Sequence, residues 1–288
     1  MKCTIFPWLA NEDTWWSGIG IRSLSPKVET VRVIWTGVSS QPTIPTHYKI
    51  SPYSELKLEI PKPYKNVAAL VVGPDSTYAV ASTGLGQTGY GFAPAFEAKT
   101  FGDLLQFYSP APMTEWISNP YITWLGANFG KLSSYTVTPQ RVALELAAMK
   151  VFYEFPDRTD RSLGVIDGCL KAGQTTGHPI GAHTSPPTQD VDCSYYTFGI
   201  NNTQYPPNPT IIWDGNTLTG NFDKERNARF LAIAYGYLPD MMVQVDTRIA
   251  TALGNPKYVQ GDMVPDYNHN RHMHIDTGNW VNLEAMIQ

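Results

Sequence analysis

Short runs of β-favouring residues, separated by turn-forming residues, dominate the first hundred residues of the chain. The runs are rich in Val, Ile, Tyr, Trp and Thr, and Pro, Gly, Ser or Asn occupies the gaps between them. Their rhythm of roughly 8–12 residues is typical of an antiparallel sandwich. The predicted strands lie at residues 16–22, 30–35, 49–60, 67–72 and 78–82. The pattern predicts a small β-sandwich, and no cluster of titratable residues in it indicates catalysis.

Helical periodicity begins only in the second half of the chain. Thr138 is a good N-cap residue, Pro139 occupies the first helical position, and the following apolar residues recur on one face until Pro156 ends the helix. The second half is therefore predicted to be mixed α+β. Its other predicted elements are a helix at 223–235 that Gly236 ends, a strand at 241–245 and a short helix at 246–253.

A proline-rich stretch separates the two patterns. Pro110, Pro112 and Pro120 stand among polar residues there, as is typical of a linker or an irregular docking segment. The predicted domains are a β-sandwich accessory or binding domain at 1–108, a linker at 109–125 and an α+β domain at 126–288.

Composition excludes two classes of partner. No stretch is apolar over the length that a membrane span needs, although the hydrophobic fraction of 42% suffices for a packed core. The net charge is −4 and no basic block follows a phosphate backbone, so nucleic acid is not an expected partner. The high aromatic content of 12% and the low charged content of 16% favour a β-rich secreted protein.

Neither the N-terminal residues nor the cysteines determine the cellular compartment in which we expect the protein. Asn11 to Asp13 follow the first residues at once, so these lack the apolar stretch of a secretory leader. A removed leader, export by another route and a cytoplasmic location are the alternatives, and we expect a periplasmic or secreted protein. Cys169 and Cys193 could pair while Cys3 stays free, although three unpaired thiols are favoured.

Five of the six histidines lie in two tight groups with an aspartate pair. On a strand, an H-x-H run places both histidines on one face, so His272 and His274 can enter one cavity. Two His and one Asp give a tetrahedral zinc an open position for water, which is the arrangement of a catalytic site. The groups are His178 and His183 before Asp190-Val191-Asp192, and the H-x-x-H-x-H run of His269, His272 and His274.

This motif set resembles the penicillin-insensitive murein endopeptidases. They belong to the wider group of lysostaphin-like, D-Ala-D-Ala peptidase and Hedgehog-type zinc folds, and the resemblance covers residues 160–278 but not the β-rich half. It implies an α+β zinc-peptidase domain with a central antiparallel sheet and Zn²⁺ as cofactor. It further implies hydrolysis of peptidoglycan peptide cross-links next to D-alanine, with water on the zinc as the nucleophile.

The resemblance also implies a role for each site residue. His183 would be the first zinc ligand and His274 the last. His272 would be a non-ligand histidine that polarises water or stabilises the oxyanion, and His269 would line the same pocket. No glutamate occupies the general-base position of H-E-x-x-H enzymes, so a histidine would carry the proton.

The aspartate ligand departs from the family pattern. The usual His-x6-Asp spacing selects Asp190, whereas the Asp-Val-Asp motif selects Asp192. We favour Asp192 because the loop 184–189 can absorb two extra residues at little cost in closure entropy, and Asp190 is the alternative.

Two other functions are compatible with these residues. One is a zinc carboxypeptidase or amidase of the same fold that acts on another peptide, and the other is a non-catalytic zinc-containing binding module. His269 and His272 argue against the module, since a purely structural site has no need for extra histidines. The β-rich domain would bind the cell wall or a partner.

Overall fold

The structure is a computed structural model, and the residues it describes are mostly β-strand with a few helices. They divide into two compact units, Met1–Thr114 with Val281–Gln288, and Glu115–Trp280. The β-rich fold expected from the sequence is confirmed, and the domain bounds stay predictions. The described residues are 1–11, 14–37, 44–62, 66–85, 89–93, 95–98, 113–115, 118–125, 135–159, 161–167, 190–198, 212–262, 268–278, 282 and 285–286.

Unit 1 contains two antiparallel sheets. The five-stranded sheet has the order β4-β3-β6-β1-β9, and the four-stranded sheet has the order β5-β2-β7-β8. The strands are β1 Lys2–Ala10, β2 Trp15–Ser23, β3 Glu29–Gly37, β4 Ile44–Ile50, β5 Glu55–Glu59, β6 Asn66–Gly73, β7 Thr77–Leu85, β8 Gly89–Phe92 and β9 Phe96–Ala98.

One hydrophobic core joins these two sheets. Phe6 and Trp35 of the larger sheet and Ile19 and Ile21 of the smaller sheet are buried in the same cluster. Alternate residues of each strand point into this core because side chains on a strand alternate between faces. Two antiparallel sheets around one core form a sandwich, as the strand rhythm predicted.

A segment from the end of the chain completes this unit. The guanidinium of Arg32, which is buried on β3, donates a hydrogen bond to the backbone carbonyl of Met286. Met286 is fully buried. The last residues therefore belong to the packing of the first unit.

Unit 2 is built on a six-stranded mixed sheet with the order β11-β13-β14-β19-β17-β18. The four central strands are antiparallel to one another, whereas each edge strand is parallel to the strand beside it. Residues 122–124 of the proline-rich stretch thus belong to the sheet. The strands of this sheet are β11 Ile122–Trp124, β13 Leu163–Asp167, β14 Asp190–Ser194, β17 Met242–Val245, β18 Val259–Gly261 and β19 His272–Asp276. The strands outside this sheet are β10 Met113–Glu115, β12 Tyr135–Val137, β15 Trp213–Asp214 and β16 Thr217–Leu218.

The three predicted helices of this unit are present. They are α1 Thr138–Glu154, α2 Lys224–Tyr237 and α3 Thr247–Ala252. Asp223 caps α2 by accepting a hydrogen bond from the Arg226 amide at 3.0 Å, and Asp246 caps α3 through the Arg248 amide at 2.8 Å.

The predicted end of α2 was wrong. Gly236 lies inside the helix, which continues to Tyr237, and the Leu238 amide still bonds to the Ala234 carbonyl at 2.8 Å. Gly236 is not among the glycines with a positive φ, so its backbone does not form the left-handed cap that would stop the helix.

Candidate zinc site

Two neighbouring strands in the middle of the unit 2 sheet carry the candidate site. β14 and β19 are antiparallel, and their register places Asp192 opposite His274 and Ser194 opposite His272. The intervening apolar residues are fully buried on the other face, as the two-residue period of a strand requires. The H-x-H run and the Asp-Val-Asp run therefore share one polar face. The apolar residues are Val191, Cys193, Met273 and Ile275.

Asp192 lies closest to both histidines of the H-x-H run. Its Oδ1 is 2.9 Å from Nδ1 of His274, and its Oδ2 is 3.7 Å from Nε2 of His272. Asp190 reaches only the far side of the same ring, with its Oδ1 3.7 Å from Nε2 of His274. The strand register thus gathers four of the predicted site residues.

His269 lies beside this group on a 3-10 turn, Asn268–Asn270, that leads into β19. Its ring centroid is 5.3 Å from that of His272 and 5.9 Å from that of His274. The three imidazoles of the H-x-x-H-x-H run therefore lie close together.

Asp262 is a member of the site that the sequence did not reveal. Its Oδ1 lies 2.7 Å from Nδ1 of His269, and it stands directly after the edge strand β18. No motif marks this aspartate, and its pairing depends on how β18 is placed in the sheet. Asp266, which is nearer to His269 in the sequence, lies outside the described residues.

The pKa values of the two histidines of β19 are shifted in opposite directions. Burial lowers the pKa of His272 to about 4, so this ring is neutral at pH 7. Burial also opposes the charged form of His274, but hydrogen bonding to Asp190 and Asp192 outweighs it and raises the pKa to about 10. The carboxylates of Asp190 and Asp192 thus stabilise the positive charge of the protonated His274 ring.

The side chains gathered here are of types that bind zinc. Asp192 and Asp190 contact different nitrogens of the His274 ring, at 2.9 Å from Nδ1 and at 3.7 Å from Nε2, so a zinc ion on one nitrogen would have only one of the two aspartates beside it. One nitrogen ligand and carboxylate oxygens are also the donor types that catalytic zinc takes.

The other predicted ligand lies beyond the described part of the chain. His183 is outside the described residues, as are His178 and Cys169. Within the described ranges, no group of three or more His, Cys, Asp or Glu side chains has a metal-binding arrangement. Cys3 and Cys193 are both buried and free, and burial raises the pKa of each thiol, that of Cys3 to about 12.

Comparisons with known proteins add little to this geometry. No family model matches the chain, and no curated protein matches it. A crystal structure of the Thermotoga maritima protein 1070 is similar over 34% of this chain and 90% of its own, with 13% identity and a TM-score of 0.27. None of the helices among the described residues is long and apolar enough to span a membrane.

Proposed function

We propose that this protein is a zinc-dependent peptidase that hydrolyses peptide cross-links of bacterial peptidoglycan next to D-alanine. The observation that carries the proposal is the placement of Asp192 within reach of both His272 and His274 on paired central strands. The substrate follows from the resemblance of the H-x-x-H-x-H and Asp-Val-Asp motifs. A periplasmic or secreted location would bring the enzyme to that substrate.

The residues divide into ligands and groups that act on the reactants. His183, Asp192 and His274 would hold the zinc, which when bound supplies a Lewis acid that polarises the scissile carbonyl and lowers the pKa of water. His272, which burial keeps neutral, can donate a hydrogen bond to the oxygen on which charge develops. Asp192 would connect the zinc ligands with the group that acts on the reactants, because its second oxygen faces His272.

Unit 1 would deliver the enzyme by binding the cell wall or a partner. Several aromatic side chains of this unit are exposed, among them Phe92, which is 80% exposed. Exposed aromatic rings supply apolar contact area to a binding partner. The others are Trp8, Trp15, Trp16, Tyr53 and Tyr78.

Hydrolysis of muropeptide dimers tests the proposed function directly. Purified protein with zinc should convert peptide-linked dimers to monomers, and a chelator should abolish the conversion until zinc is restored, with the products identified by mass. A His47→Ala variant, changed at an exposed histidine of β4, should behave like the parent. Intact dimers alongside full zinc occupancy would instead favour a non-catalytic module or a carboxypeptidase or amidase with another peptide substrate.

His272→Ala should retain zinc and lose turnover. The ring is not proposed as a ligand, so the metal content should stay that of the parent protein. Loss of one group that stabilises the reacting oxygen lowers kcat by about 10²- to 10³-fold. Zinc content and kcat measured on the same preparation check both halves, and unchanged turnover would remove His272 from the mechanism.

A further inference from the structure

The turn that carries His269 is held in place by contacts from separate elements. The Tyr195 hydroxyl donates a hydrogen bond to the His269 carbonyl at 2.9 Å, and the Asp246 amide donates to the same carbonyl at 3.3 Å. The indole Nε1 of Trp213 donates to the carbonyl of Asn270. These contacts fix the backbone of the turn without using the His269 side chain.

The Asp262 side chain acts on the imidazole alone. Its Oδ1 lies 2.7 Å from Nδ1 of His269, and both side chains are nearly buried, with exposures of 11% and 13%. Since Tyr195, Asp246 and Trp213 already hold the turn, the carboxylate is not needed to keep the backbone there. Its hydrogen bond therefore acts on the orientation of the ring.

Hydrogen bonds of its backbone hold Asp262 in position. Its amide donates to the Val245 carbonyl at 2.8 Å, and its carbonyl accepts a hydrogen bond from the Thr247 hydroxyl. The preceding residue, Gly261, lies so close to α3 that an added Cβ would be 2.9 Å from the Thr247 Cα. A side chain at that position would push Asp262 away from His269.

The second oxygen of Asp262 has no partner among the described residues. Oδ2 is buried and makes no hydrogen bond there. A buried acceptor without a hydrogen bond costs free energy, on the order of 1–3 kcal/mol.

We propose that Asp262 is a positioning residue that holds His269 as the proton carrier of the reaction. A carboxylate at Nδ1 requires the proton of a neutral imidazole to be on that nitrogen, which leaves Nε2 as the acceptor. Nε2 takes the proton of the attacking water as the carbon–oxygen bond forms, and gives it to the leaving amine as the carbon–nitrogen bond breaks. The inference rests on the proposed peptidase function and deepens it.

Kinetics of Asp262→Asn test the role in the reaction. An amide can donate to Nδ1 and thereby place the imidazole proton on Nε2, so kcat should fall by about 10²- to 10⁴-fold. KM and zinc content should not change. Asp157→Asn, at an exposed aspartate after α1, is the matched control and should leave kcat unaltered. A kcat for Asp262→Asn within a factor of about three of the parent would overturn the proposal.

Nitrogen NMR of the metal-free protein gives a second readout that needs no activity. In the parent protein the His269 imidazole should be in the Nδ1–H tautomer, and in Asp262→Asn it should change to the Nε2–H tautomer. An Nε2–H tautomer in the parent contradicts the positioning role. If the parent shows the expected tautomer but no chelator-sensitive hydrolysis, the peptidase function fails, while the control of the His269 tautomer by Asp262 stands.

Discussion

Asp192→Ala should lose the bound zinc and the peptidase activity together, whereas Asp190→Ala should keep both. Asp192 is the carboxylate nearest to Nδ1 of His274 and also faces His272, so its removal would delete one of the three proposed zinc ligands. Asp190 contacts the same ring at 3.7 Å, so we expect it to adjust the affinity for zinc without being a ligand. Its loss should lower the affinity for zinc by no more than about 10- to 100-fold, so the metal should stay bound in a zinc-containing buffer.

The two variants control for each other. They remove the same functional group from one strand, two residues apart, so a general weakening of β14 would affect both. Zinc per chain after dialysis against a defined zinc buffer, with the thermal midpoint recorded for each variant, separates lost ligand from lost fold. Loss of zinc from Asp190→Ala alone would assign the ligand to the His-x6-Asp spacing.

Arg226→Met should cost about 3–5 kcal/mol of unfolding free energy, because it breaks a buried ion pair. Arg226 and Asp223 are 1% and 0% exposed, and Nε donates to the Asp223 carboxylate at 2.6 Å. The guanidinium also donates to the Thr197 carbonyl at 2.5 Å, which connects α2 to the residues that follow β14. Met keeps the length of the side chain but leaves the buried Asp223 carboxylate with only the partly exposed Arg158 as a cationic partner, at 3.3 Å.

Arg229→Met on the same helix is the matched control. Arg229 also pairs with a carboxylate at 2.6 Å, that of Glu154, but the two side chains are 47% and 39% exposed. Solvent screens such a pair, so its loss should cost only about 0–1 kcal/mol. Urea unfolding of both variants measures the difference, and equal losses would mean that burial of the Asp223 pair carries no extra stability.

Capping and patterning made the helices of the second half predictable. Thr138 and Pro139 begin α1, and the Asp residues before α2 and α3 accept hydrogen bonds from the first turn. These signals act within a few residues, so they do not depend on the rest of the fold. The end of α2 was misjudged because Gly236 ends a helix only in the left-handed conformation, which the sequence does not reveal.

The first strand shows where local patterns fail. β1 lies between β6 and β9 in the larger sheet of unit 1, yet it was not predicted. Its pairing with β6 shifts register between Phe6 and Leu9, and Pro7, which cannot donate to the ladder, stands in that interval. Proline within a run is typical of a bulge or an edge strand, so the sequence pattern obscured a strand that tertiary pairing supports.

The candidate site, too, could be predicted from local patterns only in part. The two-residue period of a strand predicts that His272 and His274 share one face, but it does not fix which aspartate of β14 meets them. That depends on the register between two strands some eighty residues apart. The pairing of Asp262 with His269 depends in the same way on the position of β18.

The contact between Arg32 and Met286 bears on how the chain is made. β3 is synthesised well before Met286, whose carbonyl accepts the hydrogen bond from the arginine of this strand. All of unit 2 lies between them in the sequence, which at ordinary translation speeds is on the order of 10 s of synthesis. The N-terminal sandwich therefore acquires this contact only when translation of the entire intervening unit is finished.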